Sequence, residues 1–375
     1  MKKLTAFFRE QPANLLLVAF PLALLAEWGH WGELWVFVFS SVAIVPLAGL
    51  IGRSTEALTA YTGPRLGGLL NATLGNAAEL IITIVAIREG LLELVKASIT
   101  GSILGNILLV MGMAMFLGGF KNGIQRFDRH HASRSAILLM LSVIALLVPS
   151  MLSSAIGPET SLKVEALSLG VAGIMIVLYA AGLFYSFRSK DGAVAQAITA
   201  EPRATWEAVE ARPPELVENH AHWPLRTSLI FLALSTIGVV VMSELLVAAV
   251  EPVVARLGVS EFFLGVILIP LIGNIAEHLI AVKVAVDNQM DLSVEIAVAS
   301  SLQIALFVAP VLVFISLWMG NPLQLIFNTF ELLALIVGVF IAVMVSQDGE
   351  SNWLEGAELL AVYLILALAF FLLPV

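Results

Sequence analysis

Long apolar segments dominate the chain, and polar residues fall mainly between them. A helix that crosses the hydrocarbon core of a bilayer needs roughly 20 predominantly apolar residues. We predict eleven such helices, at residues 13–28, 32–52, 66–88, 97–118, 133–153, 163–187, 225–250, 260–283, 292–319, 326–346 and 353–374. A membrane β-barrel would instead show short strands with alternating polarity. The pattern therefore predicts an all-α integral membrane protein.

The composition agrees with this prediction and excludes several kinds of protein. Hydrophobic residues make up 59% of the chain and charged residues 13%, against roughly 25% charged in an ordinary soluble domain. The lipid bilayer is therefore the expected environment. Cysteine is absent, which excludes disulfides, thiolate metal sites and cysteine nucleophiles. The net charge of -9 gives no indication of nucleic-acid binding.

The distribution of lysine and arginine predicts how the chain is oriented. If the N-terminus is cytoplasmic, 15 of the 19 basic residues fall on the cytoplasmic side. The four on the other side are Arg88, Lys96, Lys163 and Arg256. Basic residues are enriched in cytoplasmic loops. We therefore expect a cytoplasmic N-terminus, a C-terminus on the opposite side, and a multi-pass protein of a prokaryotic plasma membrane.

The first predicted helix follows a basic segment, as the apolar part of a signal peptide does. No small-residue cleavage site follows Glu27 and Trp28, and removal of this helix would invert the charge bias. We therefore expect the helix to remain part of the protein.

A polar stretch divides the chain into two similar halves. The segment GNAAELI begins at Gly75, and GNIAEHLI begins 198 residues later at Gly273. In the following helix of each half, Asn106 precedes ILLV and Gln303 precedes IALFV, 197 residues apart. We predict four regions, namely an extra transmembrane helix at 1–30, a five-helix repeat at 31–187, a cytoplasmic linker at 188–224 and a second five-helix repeat at 225–375.

The odd number of helices in each repeat determines how the two repeats are oriented in the membrane. Two consecutive repeats of five spans must enter the membrane from opposite sides. Inverted repeats are typical of secondary transporters, whose substrate site lies near the midplane where the repeats meet.

Two glutamates occupy equivalent positions in the repeats, Glu79 and Glu277. Both lie near the middle of an apolar run, where a carboxylate is costly and usually functional. Further oxygen donors lie close in sequence or on the next helix, namely Asn76, Asn274, Asn106, Gln303, Ser102 and Ser300. Calcium takes 6–8 such oxygens, whereas zinc prefers histidine and thiolate. We predict that these eight residues bind a transported cation, and we predict no resident cofactor.

Three neighbouring residues allow more than one interpretation. Gly75 and Gly273 each precede a motif glutamate by about one helical turn. A helix break there would direct backbone carbonyls towards the cation; close helix packing is the alternative. His278 follows Glu277, and the sequence leaves open whether it is a proton relay, a pH sensor or a packed neutral side chain. Glu79, Glu277 and His278 are the candidates for proton coupling.

These segments resemble the calcium/proton exchanger family of the calcium/cation antiporter superfamily. The resemblance is strongest over residues 63–87 and 272–310. It implies one peripheral helix plus two inverted five-helix repeats, with calcium ligation by Glu79 and Glu277. It also implies that the cation path is lined by Asn106, Gln303, Ser102 and Ser300.

Other features bear on which branch of the superfamily the chain resembles. Sodium-coupled relatives usually carry proline directly before the motif glutamate, and this chain has Ala78 and Ala276. This difference favours proton coupling. Two departures are that Ile275 replaces a small residue and that the linker lacks the long acidic run common in the family.

We therefore predict an antiporter that exchanges calcium for protons by alternating access, with both ions competing for the two glutamates. An empty pair of ionised carboxylates would be costly at membrane depth. The alternatives are a sodium-coupled or broader divalent-cation antiporter, a passive cation channel and an intramembrane enzyme. The sequence contains neither His-Glu-x-x-His nor Gly-x-Ser-x-Gly, so an enzyme is disfavoured. Whether the chain forms a homo-oligomer is left open.

Overall fold

The computed structural model describes residues 12–158, 161–188 and 223–373. A short 3₁₀ segment, Pro12–Val18, precedes the first α-helix. The helices are α1 (Ala19–Trp28), α2 (Glu33–Leu74), α3 (Ala77–Arg88), α4 (Leu92–Asn122), α5 (Arg129–Ile156), α6 (Leu162–Arg188), α7 (Leu225–Ala248), α8 (Val250–Leu257), α9 (Glu261–Val286), α10 (Met290–Met319), α11 (Thr329–Val345) and α12 (Trp353–Phe371). Most of the predicted linker, residues 189–222, lies outside the described residues.

The described residues form an almost entirely helical bundle, as the sequence predicts. Eight of its helices are long and apolar enough to cross a membrane, and Ala13–Trp28 and Thr329–Val345 are shorter apolar helices. Strand β1 (Gln125–Arg126) pairs antiparallel with β2 (Glu350–Ser351). This two-residue ladder is a small departure from the all-helical prediction.

Two predicted boundaries are wrong, and both errors concern polar residues inside helices. We expected a loop at residues 53–65, but α2 runs through them to Leu74. There, the hydroxyl of Thr55 bonds the carbonyl of Ile51 at 2.9 Å, so the helix satisfies its own polar group. Helix α4 begins at Leu92, so Lys96 lies inside the helix, buried and paired with Glu93.

The centre of the bundle is formed by α4 and α10. In the most apolar stretch of each helix, 72% of the residues of α4 and 78% of those of α10 are buried. Helices α3 and α9 pack against α4, and α1 packs on α2 and α7 at the periphery. Exposed apolar side chains on the outer helices, such as Ile137 of α5 and Ile174 of α6, form a surface suited to lipid.

Three helices contain short π-helical segments. These are Gly105–Val110 in α4, Leu264–Leu268 in α9 and Ile304–Val308 in α10. Asn106 lies in the first segment, and Gln303 directly precedes the third. Because π segments are rare and frequently occur at functional sites, they mark the same region as the repeated motifs.

Candidate cation site

The repeated motifs come together in the interior of the bundle. Each half supplies one glutamate-bearing helix, α3 or α9, and one helix with hydroxyl and amide side chains, α4 or α10. Seven of the eight candidate cation-binding residues are buried, and Glu277 is half-buried. The structure therefore gathers residues far apart in sequence into one polar cluster inside an apolar bundle.

Glu79 is the most enclosed member of the cluster, with a solvent-exposed fraction of 0%. The Ser102 hydroxyl donates a hydrogen bond to its Oε1. Asn274, from the other half, donates from Nδ2 to its Oε2 at 3.1 Å and lies 3.3 Å from Ser102 Oγ. The first-half carboxylate is therefore held by side chains from both halves.

Glu277 has a related but less complete set of partners. The Ser300 hydroxyl donates to its Oε2 at 2.8 Å. This bond joins residues 23 apart in sequence, as does the bond from Ser102 to Glu79. Each carboxylate thus has its own serine, at the equivalent position of its half.

Two further contacts connect the amide side chains. Asn76 Nδ2 donates to Gln303 Oε1 at 2.6 Å. His278 Nε2 lies 3.1 Å from Asn106 Oδ1. Because an amide oxygen only accepts hydrogen bonds, this contact requires the hydrogen on Nε2. His278 therefore contacts the cluster through Asn106.

Two amide oxygens in the cluster have no hydrogen-bond donor among the described residues. They are Asn76 Oδ1 and Asn274 Oδ1, which are equivalent in the two halves and both buried. Buried polar atoms are nearly always paired, and an unpaired one is costly. A cation between the halves would satisfy both oxygens. With two carboxylates, these atoms form a hard oxygen donor set of the kind that calcium prefers.

The acidic groups alone do not make this site. In the part of the chain that the structure describes, no three histidine, aspartate or glutamate side chains are grouped to hold a metal ion. Any cation bound here must therefore rely on amide and hydroxyl oxygens in addition to Glu79 and Glu277.

The two motif glycines behave differently. Helix α2 ends at Leu74 and α3 begins at Ala77, so the expected break at Gly75 is confirmed. The expected break at Gly273 is wrong, because the helix continues through that residue. The irregularity of α9 lies earlier, in its π segment. A Cβ on Gly273 would lie 3.4 Å from the Cβ of Glu79, which is an ordinary van der Waals contact, so Gly273 faces Glu79 across the helix interface without steric crowding.

Ser98 is a further buried hydroxyl near the repeated motifs, and it was not among the predicted site residues. It lies on α4, one helical turn before Ser102, and is 1% exposed. The four-residue spacing from Ser102 was the available signal, since residues at that spacing share a helix face.

Comparisons with known proteins indicate the family of the chain. The family model described as sodium/calcium exchanger protein matches residues 32–188 and 227–372. The Ca(2+)/H(+) antiporter of Aphanothece halophytica is 46% identical over 368 residues, covering 96% of each chain. Ca(2+)/H(+) antiporter ChaA of Bacillus subtilis is 42% identical over 360 residues, covering 96% of this chain and 98% of the relative.

Solved structures show the same fold. Native YfkE aligns with a TM-score of 0.81 at 40% identity, over 96% of this chain and 100% of the other. The H+/Ca2+ exchanger CAX aligns with a TM-score of 0.69 at 14% identity, over 96% and 92%, and supports the fold alone. The chain is therefore a multi-pass, all-α membrane protein that belongs to the sodium/calcium exchanger protein family, and its resemblance to the calcium/proton exchangers within that family is confirmed.

Proposed function

We propose that this protein exchanges calcium for protons across a membrane by alternating access, and that the two ions compete for Glu79 and Glu277. Relatives that share 46% and 42% of its residues over nearly their whole length are named Ca(2+)/H(+) antiporters. Those relatives are transporters and not enzymes, which supports a transport function here.

One observation carries the proposal for the site. Each half contributes a carboxylate and a buried amide oxygen without a donor, Glu79 with Asn76 and Glu277 with Asn274. The serine hydroxyls of Ser102 and Ser300 supply further oxygens. This set approaches the six to eight oxygens of a calcium ion without any soft ligand. The remaining predicted residues, Asn106, Gln303 and His278, adjoin the cluster through hydrogen bonds.

The same groups are suited to a proton-loaded state. A serine hydroxyl donates a hydrogen bond to an ionised carboxylate but accepts one from a protonated carboxyl group. Ser102 and Ser300 can therefore serve both states of their glutamates by rotation of one O–H bond. Calcium and protons would each neutralise the pair, which avoids the cost of two unpaired charges at membrane depth.

The proposed architecture consists of eleven membrane helices. Residues 1–30 form the peripheral helix, 31–187 and 225–375 the two inverted five-helix repeats, and 188–224 the cytoplasmic linker. The matching bonds of Ser102 and Ser300, each to the glutamate 23 residues earlier, support the internal repeat. We place the N-terminus in the cytoplasm because of the bias in basic residues.

Reconstitution of the purified protein in liposomes tests the function. An imposed pH gradient, acidic on one side, should drive calcium towards the acidic side with proton counterflow, and sodium should not be required. Calcium movement that needs a sodium gradient would favour the sodium-coupled alternative. Calcium movement down its own gradient without proton counterflow would indicate a channel.

A further inference from the structure

Ser98 lies on α4 one helical turn before Ser102, whose hydroxyl bonds the Glu79 carboxylate, and it is outside the set of residues assigned above. It precedes Ser102 by four residues, so both hydroxyls project from the same face of α4 towards α3. Ser98 is 1% exposed. The Glu79 end of the site therefore has two serines on one helix face.

The Ser98 hydroxyl has no completed hydrogen bond among the described residues. Serines inside helices usually bond a carbonyl of the preceding turn, and this chain follows that habit at Ser40 and Ser301. Because Ser98 does not do so, its oxygen remains free to accept a further partner on the Glu79 side. An unpaired buried hydroxyl is costly, and this one lies on the helix face that reaches Glu79 through Ser102.

The second half of the chain has no equivalent of Ser98. The offset of 198 residues that relates Ser102 to Ser300 relates Ser98 to Ile296, which has no side-chain oxygen. The site is therefore richer in oxygen around Glu79 than around Glu277.

We propose that Ser98 Oγ is an additional ligand of the transported divalent cation at the Glu79 end of the site. This inference rests on the proposed function. With Glu79, Ser102 and Asn76, Ser98 would give the first half four ligating side chains. The cation would consequently bind closer to Glu79 than to Glu277, in the more enclosed half of the site.

Coordination number provides a readout that a structural role would not affect. Calcium uses six to eight oxygens in flexible geometry, whereas manganese favours six in an octahedron. Loss of one oxygen should therefore weaken calcium binding more than manganese binding. A general disturbance of the fold would weaken both ions alike.

The test measures calcium and manganese affinity by isothermal titration calorimetry of the full-length protein in detergent. Ser98→Ala should weaken calcium binding by about tenfold and manganese binding less. Ser98→Thr retains the oxygen and Ser98→Val has the same shape without it, so the first should bind calcium more tightly than the second. This pair decides the question if Ser98→Ala fails to fold.

Two further variants complete the experiment. Ser243 on α7 is also buried with an unpartnered hydroxyl and carries no assigned role, so Ser243→Ala should bind calcium as the parent protein does. Glu79→Gln tests the proposed function itself. If Glu79→Gln loses calcium while the Thr and Val variants of Ser98 bind equally, the ligand role of Ser98 is wrong and the site stands. If Glu79→Gln binds calcium normally, the proposed site is wrong, and so is the Ser98 proposal that rests on it.

Discussion

Asn274 in the second half of the chain donates a hydrogen bond from Nδ2 to Oε2 of Glu79 in the first half, over 3.1 Å. Its counterpart Asn76 donates instead to Gln303. The equivalent motifs therefore have different partners, and only the first motif has a broken helix. Inverted repeats that alternate access adopt different conformations in any one state. The unequal bonding is consistent with a site that opens on the side of the half-buried Glu277.

Neutralising either glutamate should nearly abolish exchange. Glu79→Gln and Glu277→Gln keep the size of the side chain and remove both the charge that binds calcium and the exchangeable proton. Proton-driven calcium uptake into proteoliposomes should fall to the level of empty liposomes. Glu244→Gln is the matched control, because that carboxylate pairs with Arg88 at the surface and should leave uptake intact. Near-normal uptake by either site variant would remove the central claim.

The second prediction concerns the amide oxygens of Asn76 and Asn274, which have no hydrogen-bond donor among the described residues. Asn76→Ala and Asn274→Ala should each weaken calcium binding by about tenfold or more, because each removes one oxygen ligand. The loss should be greater for Asn274→Ala, which also removes the bond to Glu79. Asn122→Ala removes an amide that bonds backbone carbonyls outside the site and serves as the control. Equal calcium affinity in all three variants would show that the amides do not bind the cation.

Much of this arrangement could be predicted from sequence because it depends on pattern. Long apolar runs determine where helices form in lipid. The placement of Glu79 and Glu277 at equivalent depths follows from their internal repeat. The serines could be assigned to the same region because the helix that follows each motif also repeats.

Other features could not be predicted, because they depend on how whole helices pack. The sequence around Gly75 and Gly273 is nearly the same, yet only one helix breaks. The difference arises from the conformation of each half, which residue types do not encode. Similarly, Asn106 contacts His278, and Asn76 contacts Gln303, because of the rotation and depth of neighbouring helices. The polar residues at 53–65 suggested a loop, but a helix satisfies hydroxyls such as that of Thr55 through its own carbonyls.

Close packing of α4 against α9 gives a prediction about stability. A Cβ on Gly101 would lie 2.0 Å from the carbonyl oxygen of Val266, within the π segment of α9. Gly101→Ala should therefore force the helices apart and destabilise the protein by about 1–3 kcal/mol or more. Gly105 lies one turn further along α4, and a Cβ there would meet nothing within 4 Å. Thermal unfolding in detergent should show a lowered midpoint for Gly101→Ala only; equal midpoints would contradict the close approach.

The last prediction concerns pH and follows from competition at one site. If protons and calcium both need Glu79 and Glu277, the apparent calcium affinity should rise with pH. It should rise by at most about tenfold per pH unit for each proton displaced. The rise should end once both carboxylates are ionised without calcium, and the midpoints would belong to the coupled pair.

His278 offers a competing explanation, because its imidazole contacts Asn106. His278→Gln separates the two explanations, since glutamine keeps a donor for Asn106 but does not titrate. Calcium affinity is measured between about pH 5 and about pH 9, a range that spans the ordinary pKa of histidine. Under competition, the affinity of His278→Gln should still rise with pH. If His278→Gln transports calcium with an affinity independent of pH, His278 is the switch and the shared-site mechanism is wrong.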